Sequence, residues 1–243
     1  MTKLFKYYII LLLLLVTSCA NKKNVIIEEK DENTLYSLAM QDFKNGFYNT
    51  AAMEFEDIEN KFIFTPIAKK SIIMAIYSYY KAHKYDEVLR LTEYYKKINF
   101  GNEYDDYVLY IDVLSKYKKV IKAKKDLFLM NELLLDMNDL ITYSINEEYK
   151  KDITKKRDIL INYIIKNELL IYKFYINDNN IVGAINHLKT ILERFPNSSY
   201  TPEILYKLIM LYKHINYTEG INKYYNILKI QYSNTKWYKY VNK

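Results

Sequence analysis

Few side chains in this sequence are equipped for chemistry. There is one thiol, Cys19, and there are three imidazoles, His83, His187 and His214. A protein metal site needs several ligands that converge, and these histidines are far apart with no i, i+4 pair. A lone cysteine can form neither an intramolecular disulfide nor a thiolate cluster. The acidic run Glu54, Glu56, Asp57 and Glu59 reads as a solvated helix face rather than an acid–base pair. With four glycines in 243 residues, the sequence contains no Gly-rich phosphate loop and no nucleophile elbow. The expectation is a protein that is not an enzyme, with no metal and no cofactor.

Cys19 nevertheless has a chemistry of its own. Lys3 and Lys6 precede an unbroken apolar run, Tyr7 to Val16, that contains five consecutive leucines. A positive start, a short apolar core and small residues before a cut site describe a signal peptide. The run is too short to span a bilayer as a helix, which takes roughly 20 apolar residues. Val16-Thr17-Ser18-Cys19 resembles a bacterial lipobox, in which the thiol becomes a thioether to diacylglycerol and cleavage frees the Cys19 amine for acylation. Two or three acyl chains give stable anchoring where one binds only reversibly. Residues 1–18 are thus expected to be a lipoprotein signal peptide, and residues 19–31 a lipidated polar tether. Ala20 stands where an Asp would commonly retain a lipoprotein in the inner membrane, so the expected destination is the outer membrane, on its periplasmic face.

The remaining residues must be positioned by helices. Half of the chain is apolar, while glycine and proline together number seven, too few for the turns of an all-β fold. The net charge of +7 is spread along the chain apart from a short cluster around Lys116 to Lys125, which fits a solvated surface. No concentrated basic face with interleaved aromatics is present, so nucleic acid is not an expected partner. The 28 tyrosines reflect an AT-rich codon bias and fill cores well, because the ring buries while the hydroxyl reaches water.

From Asp31 onward the apolar spacing is helical and repeats. Leu35, Leu38, Ala39 and Phe43 form a stripe that ends at Gly46, and Ala51, Phe55 and Ile58 continue on a second helix. Small residues let paired helices approach and Phe plugs the gap, as in a tetratricopeptide hairpin. Ile76, Tyr79, Tyr85, Val88 and Thr92 follow the same offsets, as do Tyr172, Tyr175, Ala184, Leu188 and Ile191, and then Leu208, Leu211, Tyr217, Gly220 and Tyr224. A weaker central unit covers about 104–144, with Leu133, Met137 and Leu140 on its second helix. Taking Ala51, Val88, Leu133, Ala184 and Gly220 as equivalent predicts an all-α solenoid of about five hairpins, two in residues 32–97 and three in residues 104–243. Thr65-Pro66 and Thr201-Pro202 each offer a capping hydroxyl followed by proline at the first helical position.

With the anchor and the repeats in hand, the sequence resembles the BamD family, the lipoprotein subunits of the machine that inserts β-barrels into the outer membrane. The resemblance rests on Leu35, Ala39, Gly46, Tyr48, Ala51, Phe55 and Glu56 in the first unit, and on Asp105-Asp106-Tyr107 with Tyr110 in the third. Ala184-Ile185-Asn186 and Phe195-Pro196-Asn197-Ser198 carry it through the fourth, and Tyr232 to Tyr238 to the end.

What the resemblance implies is a scaffold. Its C-terminal units would hold a barrel-forming subunit through POTRA domains, beside other assembly lipoproteins. Its N-terminal units would receive the targeting strand of unfolded outer-membrane proteins. The family tends to carry an Arg after Asn186, paired with an acidic residue of the barrel subunit, and this chain has His187 there. Neutral imidazole cannot reproduce a bidentate guanidinium contact. The candidate partner-binding residues are Tyr36, Asp42, Tyr77 and Lys81 for the N-terminal groove, with Asn186 and His187 for the C-terminal contact. The competing expectations are an envelope lipoprotein tethering a Tol-type or cell-wall complex, and a membrane-held hydrolase or transferase.

Overall fold

The computed structural model describes residues 31–98, 101, 103–123 and 126–242; Cys19, the signal segment and most of the tether lie outside them. The described residues form eleven helices and no strand. They are α1 (Glu32–Lys44), α2 (Tyr48–Lys61), α3 (Pro66–Lys81), α4 (Tyr85–Ile98), α5 (Asp105–Ala123) and α6 (Leu127–Tyr143). Then come α7 (Glu147–Asn177), α8 (Ile181–Arg194), α9 (Thr201–His214), α10 (Thr218–Tyr232) and the short α11 (Lys236–Val241). Each helix packs on the next, and the first helices of successive hairpins also touch along the row α1, α3, α5, α7. This is the all-α array of tetratricopeptide-like hairpins that the periodicity predicts.

The helix ends follow from local chemistry. Asp31 caps α1 by accepting from the amides of Asn33 and Thr34, and Thr65 caps α3 by accepting from Ala68. Asp126 and Asn146 do the same for α6 and α7. The expectation fails at Thr201. Tyr200 is the cap residue there, and the buried Thr201 hydroxyl turns back to donate to the Pro196 carbonyl at 2.9 Å. The Thr201 amide meanwhile donates to the Ser198 carbonyl at 3.1 Å, so both of its donors close the turn that precedes the helix.

Four hairpin turns share one geometry. Gly46, His83, Asn179 and Asn216 each have positive φ, and each sits two residues past a helix end. The amide after each returns to the carbonyl five residues back: Phe47 to Asp42, Lys84 to Tyr79, Asn180 to Tyr175 and Tyr217 to Tyr212. Glycine adopts this left-handed conformation freely, and Asn and His are among the residues that tolerate it. Counting from the turns puts Ile221 level with Ala51, Val88 and Ala184, but Gly220 is the residue buried as those three are, as the repeat spacing predicts. A Cβ at Gly220 would come within 2.7 Å of the Tyr212 ring.

The core runs the length of the array rather than forming a single ball. Ala39, Ala51, Ala52, Phe55 and Ile58 fill the first hairpin, and Ala68, Ser71, Ala75 and Ser78 make a small-residue stripe on α3. Farther along, bulkier side chains take over: Leu133, Met137, Ile153, Leu160 and Ile164. Leu38, expected on the inner stripe of α1, is exposed instead. Its 100°-per-residue position falls beside, not beneath, Leu35 and Ala39.

One buried ion cluster joins three helices. The Asp112 carboxylate of α5 accepts from Thr92 of α4 at 2.6 Å and lies 3.3 Å from Lys96 and 3.0 Å from Lys116. Lys116 reaches on to Asp136 of α6 at 2.7 Å. Burial pushes the Asp112 carboxyl up, but the two lysines and the Thr92 hydroxyl outweigh it and hold the group below its ordinary value.

Candidate functional site

The first helices carry a continuous row of partly exposed rings. It begins with Tyr48 at the start of α2, whose ring meets Phe43 edge-on at 5.2 Å. Phe43, in the last turn of α1, lies 5.5 Å from Tyr77 of α3. Tyr77 is 6.3 Å from Tyr107 of α5, and Tyr107 is 6.4 Å from Tyr149 of α7. Tyr149 stacks flat on Tyr110 at 4.2 Å. Offset and edge contacts of this kind add to what area burial alone gives.

Polar groups fix the two ends. The Tyr110 hydroxyl donates to Asp152 at 2.8 Å, and Lys156 pairs with the same carboxylate. Burial raises the Asp152 carboxyl, but the bonds from Lys156 and Tyr110 bring it below its usual value. At the other end the Lys81 ammonium sits 5.4 Å from the Tyr48 ring centre. Tyr107 and Tyr110 have hydroxyls that resist ionisation, first because they are buried and then because neighbouring tyrosines, and for Tyr110 Asp152, disfavour a phenolate. Burial therefore keeps the Tyr107 and Tyr110 phenols in their neutral form.

The predicted residues fall in different places. Tyr77 is a central rung of the row, and Lys81 covers its first ring. Tyr36 packs 5.3 Å from the buried Phe55 and belongs to the wall of the first hairpin, where burial raises its phenol. Asp42 lies part-exposed beside the row, and its backbone carbonyl closes the first turn. Asn186 is exposed on α8, far along the chain from that row. His187 faces inward: its Nε2 lies 2.9 Å from the Glu168 carbonyl and 3.2 Å from the Glu168 carboxylate, and its ring is 5.7 Å from Tyr175.

Phe43, Tyr107, Tyr110 and Tyr149 were not singled out by the sequence as a binding surface. No repeat offset unites them, because the row runs obliquely. Phe43 lies in the last turn of its helix, whereas Tyr107 and Tyr149 lie in the first turns of theirs. The usable signal was weaker: each first helix from α1 to α7 carries an aromatic ring, Phe43, Tyr77, Tyr107 and Tyr149 in turn.

A cavity of about 460 Å³ opens between α4, α5 and α6, lined by Glu103, Asp106, Asp112, Asp136 and Asp139 with Leu109 and Tyr143. Its carboxylates are largely engaged. Asp112 and Asp136 hold Lys116, and Asp106 accepts from the Ser144 hydroxyl and the Asn146 amide. Those bonds tie the α6–α7 turn to α5. Among the described residues, no group of His, Cys, Asp and Glu is arranged to hold a metal ion, and no helix is long and apolar enough to cross a membrane.

Comparison with known proteins places this geometry. A family model described as an outer membrane lipoprotein, YfiO, matches residues 28–228. A protein of Caulobacter vibrioides named outer membrane protein assembly factor BamD is 24% identical over 213 residues, covering 88% of this chain and 70% of its own. The protein of the same name from Rickettsia prowazekii is 26% identical over 210 residues, 85% of this chain and 82% of its own. That of Neisseria gonorrhoeae is 23% identical over 201 residues, 79% and 75%.

Proposed function

We propose, from the premise that this chain belongs to the YfiO family of outer membrane lipoproteins, that it is an outer membrane protein assembly factor working as a scaffold. The observation that carries the mechanism is the oblique row of rings. Alternate residues of an extended strand lie about 6.6 Å apart on one face. The steps from Phe43 to Tyr77 to Tyr107 to Tyr149 are 5.5, 6.3 and 6.4 Å. A strand with aromatic or aliphatic side chains at every second position can therefore set one side chain against each rung. Such alternation is the pattern of barrel strands. The apolar ring faces of the row favour an apolar over a charged occupant.

In this reading the N-terminal units receive the targeting strand of an unfolded barrel protein. The C-terminal units hold the barrel-forming subunit through its POTRA domains, alongside other assembly lipoproteins. Acylated Cys19 keeps the array on the periplasmic face of the outer membrane, with residues 19–31 as the tether. The family description and the Val16-Thr17-Ser18-Cys19 ending support that placement. The chain binds and positions, and catalysis is no part of its role.

The test is binding of an end-blocked peptide with Phe at alternate positions, followed by fluorescence anisotropy. Tyr77→Ala with Tyr149→Ala is expected to weaken it at least about tenfold, the scale of losing one well-placed aromatic contact. Unchanged affinity in the double variant, with its helix content intact, would remove the row as the receiving surface. Mass spectrometry of the membrane-extracted protein checks the anchor, the expected result being a diacylglyceryl group on Cys19.

A further inference from the structure

Behind the row of first helices, the second helices of the third and fourth units enclose a groove with different chemistry. Two adjoining hollows, of about 500 and 300 Å³, share Arg157 and Ile161 of α7 with Arg194 and Phe195 at the end of α8. The sequence has 36 basic side chains, of which only three are arginines, Arg90, Arg157 and Arg194. Two of the three line this one groove. The long α7 passes beneath α6 and α8, and the two second helices make no backbone contact with each other.

Both guanidiniums keep donors to spare, and Arg194 is held in place. Arg194 lies 4.9 Å over the Phe195 ring, donates to the Asn131 side-chain oxygen of α6 at 2.8 Å, and stands 3.6 Å from Glu168. Glu168 already engages His187, so its charge is shared. Arg194 remains 41% exposed. Arg157 makes a single long bond, 3.3 Å, to its exposed neighbour Asp158, and its buried Nε has no hydrogen-bond partner. A guanidinium has five donors in a planar fork, and stacking on an aromatic face orients that fork.

On α6, next to the Asn131 that holds Arg194, the exposed face is apolar where a surface helix is ordinarily polar. Phe128 and Leu135 stand one turn to either side of Asn131 and are 71% and 61% exposed. Aromatic and aliphatic side chains around a central arginine are the composition of a protein-binding hot spot rather than of a solvated face.

We propose that this groove docks an acidic segment of a partner protein, one that places a carboxylate between Arg157 and Arg194 and a bulky apolar side chain against Phe128 and Leu135. The surface is separate from the aromatic row, and it does not use the inward-turned His187. A carboxylate in the fork would take up the donors that Asp158 and Glu168 leave unfilled, and a charge-assisted bidentate pair is stronger and more directional than a neutral one.

The experiment selects phage-displayed random peptides on the full-length chain in detergent, with the Arg157→Gln, Arg194→Gln chain as competitor. Enriched peptides are then synthesised and measured by anisotropy. Peptides that carry Asp or Glu beside Leu or Phe, and bind the unaltered chain at least tenfold more tightly than the double variant, are the expected result. Peptides lacking carboxylates, equal binding to both chains, or no enrichment overturns it. Phe128→Ser, at a side chain the fold does not bury, separates docking from folding and is expected to weaken binding several-fold with helix content unchanged. Tyr77→Ala is expected to leave this binding untouched, so a failure of the aromatic row and a failure of the groove can be told apart.

Discussion

Tyrosine-rich surfaces occur at both ends of this array, and the same side chain does opposite things in them. From α1 to α7 the rings of Phe43, Tyr77, Tyr107 and Tyr149 lie side by side along the first helices, part-exposed and open on one face. At the C-terminal end the rings close on each other. Tyr212 of α9 stacks on Tyr224 of α10 at 5.7 Å, with Gly220 leaving room for it. Tyr206, Trp237 and Tyr240 bind α9 to α11, and Tyr225 meets Tyr238. The short α11 packs on α9 and α10, and its Trp237, Tyr238 and Val241 cover part of their apolar surface. An abundance of tyrosine therefore says nothing about ligands until the helix and the face are known.

If the C-terminal rings are structural, Tyr224→Ala should have the largest effect on stability. Tyr224 is 5% exposed, and removing a buried ring costs about 3–5 kcal/mol. Thermal melting followed by circular dichroism should show the loss, while the alternating-Phe peptide binds the remaining folded protein as before. A smaller cost with weakened peptide binding would erase the distinction between the two ends.

The Asp112 cluster joins α4, α5 and α6 within the span of the aromatic row and tests what polar contacts contribute there. Asp112→Asn leaves Lys96 and Lys116 without their shared carboxylate, a loss of about 2 kcal/mol. The sign of its pH dependence follows from the direction of the shift. A carboxyl held below its ordinary value contributes its full stability above about pH 4 and loses it as pH falls through the lower, folded value. Urea midpoints measured from pH 6 down to pH 2 should show less acid destabilisation in Asp112→Asn than in the unaltered chain. Parallel acid curves would mean that the cluster is not formed in solution.

The rung Tyr77 should show the reverse of Tyr224. Tyr77→Ala is expected to lower affinity for the aromatic peptide about tenfold, while the unfolding free energy from urea titration falls by less than about 1 kcal/mol, as for a part-exposed side chain. The smallest effect belongs to Arg90, which forks onto Glu56 at 2.7 and 2.9 Å and is half exposed. Arg90→Ala should cost about 0.5 kcal/mol, and less in high salt. The phenol of Tyr79 reports on the same contact. Burial and then Glu56, to which the hydroxyl donates, raise it to about 12, so its absorbance change near 295 nm should come after that of free tyrosine.

Much of this was legible from residue order alone. The stripe Leu35, Ala39 and Phe43, the small residues Ala51 and Ala184, and the cap at Thr65 predict helical hairpins, because amphipathic period and capping chemistry are local properties. The family model matches residues 28–228, which takes in the motifs from Leu35 to Ser198 that carry the resemblance, but not the tail from Tyr232 to Tyr238. Other features could not be read. The left-handed turn at His83 gave no glycine to mark it, and Thr201 bonds backward because of where Phe195 and Pro196 leave their carbonyls.

The amino-acid order thus determines that the chain is helical, that its hairpins repeat, and that Cys19 follows a lipobox-like ending. It also determines that guanidinium is missing at position 187. The three-dimensional arrangement alone decides that Phe43, Tyr77, Tyr107 and Tyr149 form one row, that His187 is spent on Glu168, and that Arg157 and Arg194 meet across 37 positions of sequence. Helical periodicity is set within a few residues. Which faces come together depends on how far each helix is offset and tilted on its neighbours, and that is fixed by packing along the whole array.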